Sequence, residues 1–160
     1  MLVISDTGPL RYLVEIGEDH ILPALFGRVV APPAVIAELS HAISPQMIRD
    51  WAAQPPAWLE VVAPAQLDPT LRLDAGEAEA ISLAMQLRAD ALLIDERDGT
   101  RAARSRGLFT TGTLGILDLA AEKGIIVLPQ VIDKLAGTSF RRPQLIIKEM
   151  LERDRSRRAP

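Results

Sequence analysis

A chain of 160 residues, 48% apolar and 24% charged, is most simply one domain with a sizeable buried core. It has no cysteine and only two histidines, His20 and His41, which excludes disulfides, thiolate metal sites and a histidine-rich metal centre. The formal net charge of −3 argues against a generic cationic nucleic-acid coat protein, and neither a signal peptide nor a membrane-length apolar run is visible, so the cytoplasm is the default compartment.

The chain opens on Leu2, Val3 and Ile4, an apolar run that reads as a fully buried strand ending in Ser5-Asp6-Thr7-Gly8-Pro9. Pro9 suits the first turn of a helix, and Leu10, Leu13 and Val14 carry helical spacing up to Gly17. A short helix from His20 to Phe26 precedes a second strand over 27–31. Pro32-Pro33 then opens a helix that places Glu38 about one turn in, with His41 at its far end. Residues 44–53 form another helix, 58–62 a third strand, and 74–87 the strongest helix signal in the chain. Ala91 to Asp95 repeats the opening pattern, an apolar strand closed by an acid. A helix over 100–106, a strand over 108–110 and helices up to Gly124, around 131–135 and over 143–153 complete the reading. Alternating strands and helices imply right-handed crossovers and a central parallel sheet of four or five strands, covered on both faces: a three-layer α/β/α class. The arginine-rich end, 153–160, reads as a solvated, partly disordered tail.

Four acids share one logic. Asp6 and Asp95 each follow an apolar strand, and ligands of open α/β sheets bind beyond the carboxyl ends of the strands. Glu38 and Glu79 lie early in helices and can converge on the same cleft. Hard divalent cations, Mg²⁺ or Mn²⁺, take oxygen ligands, and this chain has little else to offer. Such a cluster can support phosphodiester hydrolysis. Without an ion its members would repel one another and raise each other's pKa values. Glu77 is the rival of Glu79. Asp74 followed by Glu77 fits a capping box, which already accounts for Glu77 and favours Glu79 as the site residue. Asp98 is likewise either an assistant to Asp95 or the cap of the following helix. Arg97 and Arg101 could hold a phosphate backbone or simply form salt bridges.

Asp-Thr-Gly-Pro-Leu at 6–10, Pro-Pro-Ala-Val-Ile-Ala-Glu-Leu at 32–39, Gly-Glu-Ala-Glu-Ala-Ile-Ser-Leu-Ala at 76–84, Leu-Leu-Ile-Asp-Glu-Arg at 92–97 and Thr-Gly-Thr-Leu-Gly-Ile-Leu at 111–117 occur in that order. In this the chain resembles the PIN-domain family, and within it the VapC-like toxins of toxin–antitoxin pairs. The resemblance implies a nuclease domain over 1–152 followed by a basic tail, 153–160. It implies an Mg²⁺- or Mn²⁺-dependent endoribonuclease, with Asp6, Glu38, Glu79 and Asp95 matching the family's four acids and Thr7 its small hydroxyl residue. It also implies an RNA substrate, a homodimer and a cognate antitoxin that inserts a segment into the cleft.

Two other readings stand beside it. Leu92-Leu-Ile-Asp95-Glu-Arg-Asp98-Gly-Thr100 is similar to the motif of haloacid-dehalogenase-like phosphatases, but its aspartates are three apart rather than two, and no well-placed lysine follows. A binding module that kept the fold and lost the chemistry is the third reading.

Overall fold

The computed structural model describes all 160 residues. Five short strands, β1 (Leu2–Ser5), β2 (Arg28–Ala31), β3 (Leu59–Val61), β4 (Ala91–Leu93) and β5 (Thr110–Thr111), form one all-parallel sheet in the order β3-β2-β1-β4-β5. The crossovers are helical: α1 (Thr7–Glu15) and α2 (Ile21–Phe26), α3 (Pro33–Leu39) and α4 (Gln46–Ala53), α5 (Ala75–Gln86), then α6 (Arg97–Ser105). After β5 follow α7 (Thr113–Glu122), α8 (Leu128–Ala136) and α9 (Gln144–Arg158).

Side chains alternate across the pleat, and the alternation divides the core in two. Val3, Val29 and Leu93 face one layer, packed with Leu10, Leu13, Ile48 and Ile116 of α1, α4 and α7. Ile4, Val30 and Leu92 face the other, packed with Ile81, Leu83 and Ala103 of α5 and α6. Both faces of the sheet are therefore buried, which is why its strands read as unbroken apolar runs.

The path of the chain positions the site. From β1 it steps outward to β2 and β3, then returns to the other side of β1 for β4 and continues to β5. At such a reversal the two connections leave in opposite directions and open a crevice beyond the carboxyl ends of the central strands. The Asp6 N–H donates to the Leu93 carbonyl at 2.8 Å, so the acid that closes β1 is anchored on the last residue of β4.

Three elements differ from the sequence reading. α6 starts at Arg97 rather than near residue 100: Glu96 holds extended N-cap backbone, and Asp98 falls in the first turn without capping it. β5 covers Thr110 and Thr111 rather than 108–110, leaving Phe109 exposed. The last helix does not end near residue 153 but runs to Arg158. Its Ile147 and Met150 are buried, and Arg153 and Arg157 both reach Asp118 of α7, at 3.3 and 3.1 Å. Arg158 pairs one turn back with Asp154 at 2.7 Å. The arginine-rich end is thus helix docked on α7 rather than a loose tail. No helix is long and apolar enough to cross a membrane.

Candidate active site

Asp6 is the N-cap of α1, yet its side chain makes no cap hydrogen bond. It is 4% exposed, and its Oδ1 is buried with no partner at all. A buried, unpartnered carboxylate oxygen is costly unless the group takes up a proton or meets a cation. Burial, the largest effect, pushes the Asp6 carboxyl up to about 7; the Thr7 N–H partly offsets this, and Glu38, Asp74 and Asp95 add to it. One residue on, the Thr7 hydroxyl donates to Glu38 Oε2, which ties the start of α1 to α3 and turns the Glu38 carboxylate toward Asp6.

The space between these groups is kept open by a glycine. Gly76, in the first turn of α5, has no side chain where a Cβ would stand 3.3 Å from Glu38 Oε2, 3.5 Å from Thr7 Oγ1 and 3.6 Å from Asp6 Oδ1. Three oxygens from three residues thus face one small void. Asp95 stands on the other side of Gly8, where a Cβ would come within 2.9 Å of its Oδ2. Its carboxylate accepts from the Thr113 N–H and the Thr113 hydroxyl, both at 2.7 Å. Burial nevertheless raises its pKa against these two hydrogen bonds. With both oxygens engaged by Thr113, Asp95 is poorly placed as the nucleophile of a phosphatase.

Asp6, Glu38 and Asp95 line one cleft of about 490 Å³, so three of the four expected acids come together. The fourth does not. Glu79 points to α3, where its Oε1 accepts from the Ala34 N–H at 3.2 Å, one of the donors that a helix start leaves free. Its rival Glu77 lines the cleft instead, together with Asp74 and Glu96. The geometry differs from the reading that favoured Glu79: capping at Asp74 engages the main-chain N–H of Glu77, at 2.9 Å, while the Glu77 carboxyl meets the Asp74 carboxyl and lines the cleft. Truncating Glu79 to Ala is expected to cost about 1 kcal/mol of stability, as for a lost helix cap, and to leave cleft chemistry intact. Thermal melts beside an activity assay check this; lost activity without lost stability would return Glu79 to the site.

Asp98 lies outside the acid cleft, in a neighbouring pocket that also contains Arg97. Arg101 is exposed on α6, and neither Arg97 nor Arg101 forms a salt bridge. No three His, Asp or Glu side chains stand close enough to cage an ion unaided. The donor set still fits a hard cation: it is all oxygen, it includes an orphaned buried carboxylate, and its glycine leaves room. Mg²⁺ in particular keeps several waters rather than demanding a complete protein cage.

Comparison with known proteins settles the family. A family model, DUF3368, described as a PIN domain, matches residues 2–156. The chain belongs to the PIN-domain family. Its fold is similar to that of a PilT N-terminus domain protein from the hyperthermophilic archaeon Sulfolobus solfataricus P2, with a TM-score of 0.55 at 14% identity, covering 89% of this chain and 99% of that one. No curated protein matches.

In this PIN domain several cleft residues carry no signal in the sequence. Asp74 reads as a cap and is one, but it also lines the cleft; Glu96 is hidden behind Asp95; Arg11 and Tyr12 read as part of an ordinary helix. His41, read as a helix-end cation, lies on the cleft wall with its Nδ1 accepting from the Ile43 N–H at 3.2 Å.

The cleft also gives this PIN domain a stability profile with a definite sign. Burial first, then Asp74, Asp6 and Glu96, pushes Glu77 up to about 8, while Asp6 stands at about 7. The folded chain therefore holds protons that the unfolded chain, with ordinary values of 3.8 and 4.5, has released. This contribution is complete below those ordinary values and is lost as pH rises through 7 and 8. Without divalent cation the protein is expected to lose stability as pH rises across that window. Denaturant melts at pH 6 and 8.5 check the sign; equal or greater stability at the higher pH would refute it.

Proposed function

We propose that this protein is an Mg²⁺- or Mn²⁺-dependent endoribonuclease that hydrolyses RNA phosphodiester bonds at the cleft beyond β1 and β4. Its PIN domain is a nuclease-type fold. The observation that carries the reading is the void beside Gly76, faced by Asp6 Oδ1, Thr7 Oγ1 and Glu38 Oε2, because it joins a carboxylate in need of a positive partner to the space for one. Asp6, Glu38 and Asp95 would hold the ion directly or through water. A cation bound there supplies charge neutralisation on the phosphate and a water of lowered pKa. Thr7 fixes the Glu38 carboxylate and Thr113 that of Asp95, so the acids are set before substrate arrives. Glu77, holding a proton at its carboxyl near neutral pH, is placed to pass one to or from a group in the cleft.

The resemblance of the five segments quoted above supports a narrower role as the toxin of a toxin–antitoxin pair, acting as a homodimer and restrained by a cognate antitoxin. The wide spacing of the carboxylates is what favours the second reading, a PIN-fold binding module without turnover. One assay separates them. Protein purified free of any partner is incubated with defined single-stranded RNAs and Mn²⁺, then with EDTA. Cleavage that requires the metal supports the nuclease; tight RNA binding with no cleavage under any divalent cation supports the silent module.

A further inference from the structure

Beside the acid cleft lies a second pocket of about 530 Å³, within the ~300–1,000 Å³ range of small-ligand sites. The two share one wall, made by Asp74, Glu77 and Glu96. Of the residues that belong to the second pocket alone, three are arginines: Arg72 from the segment before α5, Arg97 at the start of α6 and Arg141 from the connection between α8 and α9. Three distant stretches of chain thus deliver one cation each to the same place.

These arginines are also idle. Arg28, Arg106, Arg153, Arg157 and Arg158 are engaged by Glu60, Asp68, Asp118 and Asp154. Arg72, Arg97 and Arg141 form no salt bridge, although four carboxylates line the same pocket. A guanidinium presents a planar fork that suits a phosphate, and these three are exposed beside the acid cleft. The pocket has no aromatic residue on which a base could stack, so the fit is to backbone charge rather than to base identity.

Resting on the ribonuclease reading, we infer that Arg72, Arg97 and Arg141 form a backbone-phosphate subsite that takes the nucleotides next to the scissile bond of a single-stranded RNA. The strand runs from this pocket over the shared Glu77 and Glu96 wall into the acid cleft. The subsite contributes affinity and register and leaves sequence preference to other parts of the surface.

The test is the salt dependence of binding of a short fluorescent unstructured RNA, followed by anisotropy. It is run with EDTA, and again with Mg²⁺ in the Asp6→Asn background so that nothing is cut. The Arg72→Gln/Arg97→Gln/Arg141→Gln variant is expected to weaken binding at least about tenfold, equally for oligo-U and oligo-A. It should flatten the log–log salt slope by about 2, since each phosphate that the protein no longer neutralises removes roughly 0.7 from that slope. Arg141→Gln alone should give about a third of that change, and Arg155→Gln, an exposed residue of α9, none. A slope unchanged in the triple variant, or an equal loss in Arg155→Gln, overturns the subsite and leaves the nuclease reading standing. No RNA binding by the native protein with EDTA and none by Asp6→Asn with Mg²⁺ overturns both.

Discussion

Asp6→Asn is expected to lower RNA cleavage by roughly 10²–10⁴-fold, the equivalent of the several kcal/mol that a bound cation contributes to charge stabilisation. It is expected to do so without loss of fold. Asp6 is buried, its Oδ1 has no partner, and its carboxyl is raised to about 7, so at pH 8 the folded protein carries an unfavourable buried charge. The amide removes that charge at nearly constant volume. The variant should therefore melt at or above the native temperature at pH 8 without divalent cation, and should lose most of the stabilisation that Mn²⁺ gives the native protein. A variant that folds and still cleaves at the native rate would remove Asp6 from the chemistry.

Gly76→Ala makes the same argument by a different route. Alanine is favoured over glycine by up to about 1 kcal/mol within a helix, so on local grounds the substitution at the start of α5 should be neutral or stabilising. Its methyl group, however, would enter the void at 3.3–3.6 Å from Glu38 Oε2, Thr7 Oγ1 and Asp6 Oδ1. Cation affinity and cleavage are expected to fall at least about tenfold, ~1.4 kcal/mol, while the metal-free protein still folds cooperatively. Loss of function in a protein that still folds is the signature of a site rather than of a packing defect. Full activity in a well-folded Gly76→Ala protein would mean that the void is not where the ion binds.

The parts of this molecule that were legible in its sequence are those encoded locally. An apolar run closed by an acid and a helix-starting proline marks Asp6, and the same run closed by Asp95 marks its neighbour across the sheet, because doubly buried strands leave no other pattern. That the sheet is parallel follows from the alternation of strands and helices; the strand order does not. The choice between Glu77 and Glu79 was not local. Glu77 reads as fully explained by its cap, but the cap takes its main-chain N–H while its carboxyl lines the cleft beside Asp74, whereas Glu79 is claimed by the Ala34 N–H, a partner 45 positions away. The helical end of the chain is hidden for a related reason: its arginines look solvated until Asp118 of α7 is placed beneath Arg153 and Arg157. Arg72 and Arg141 gave no signal because only the fold brings them to Arg97.

The central claim is that the cleft holds a divalent cation on Asp6. It is tested most directly by calorimetric titration of Mn²⁺ into the native protein and into Asp6→Asn near pH 7, in buffers of different ionisation enthalpy. One site is expected in the native protein, with a proton released on binding because Asp6 must give it up, and loss of that site in the variant. Native protein that takes up no Mn²⁺, or an Asp6→Asn protein that binds it with the same affinity and proton release, would contradict it.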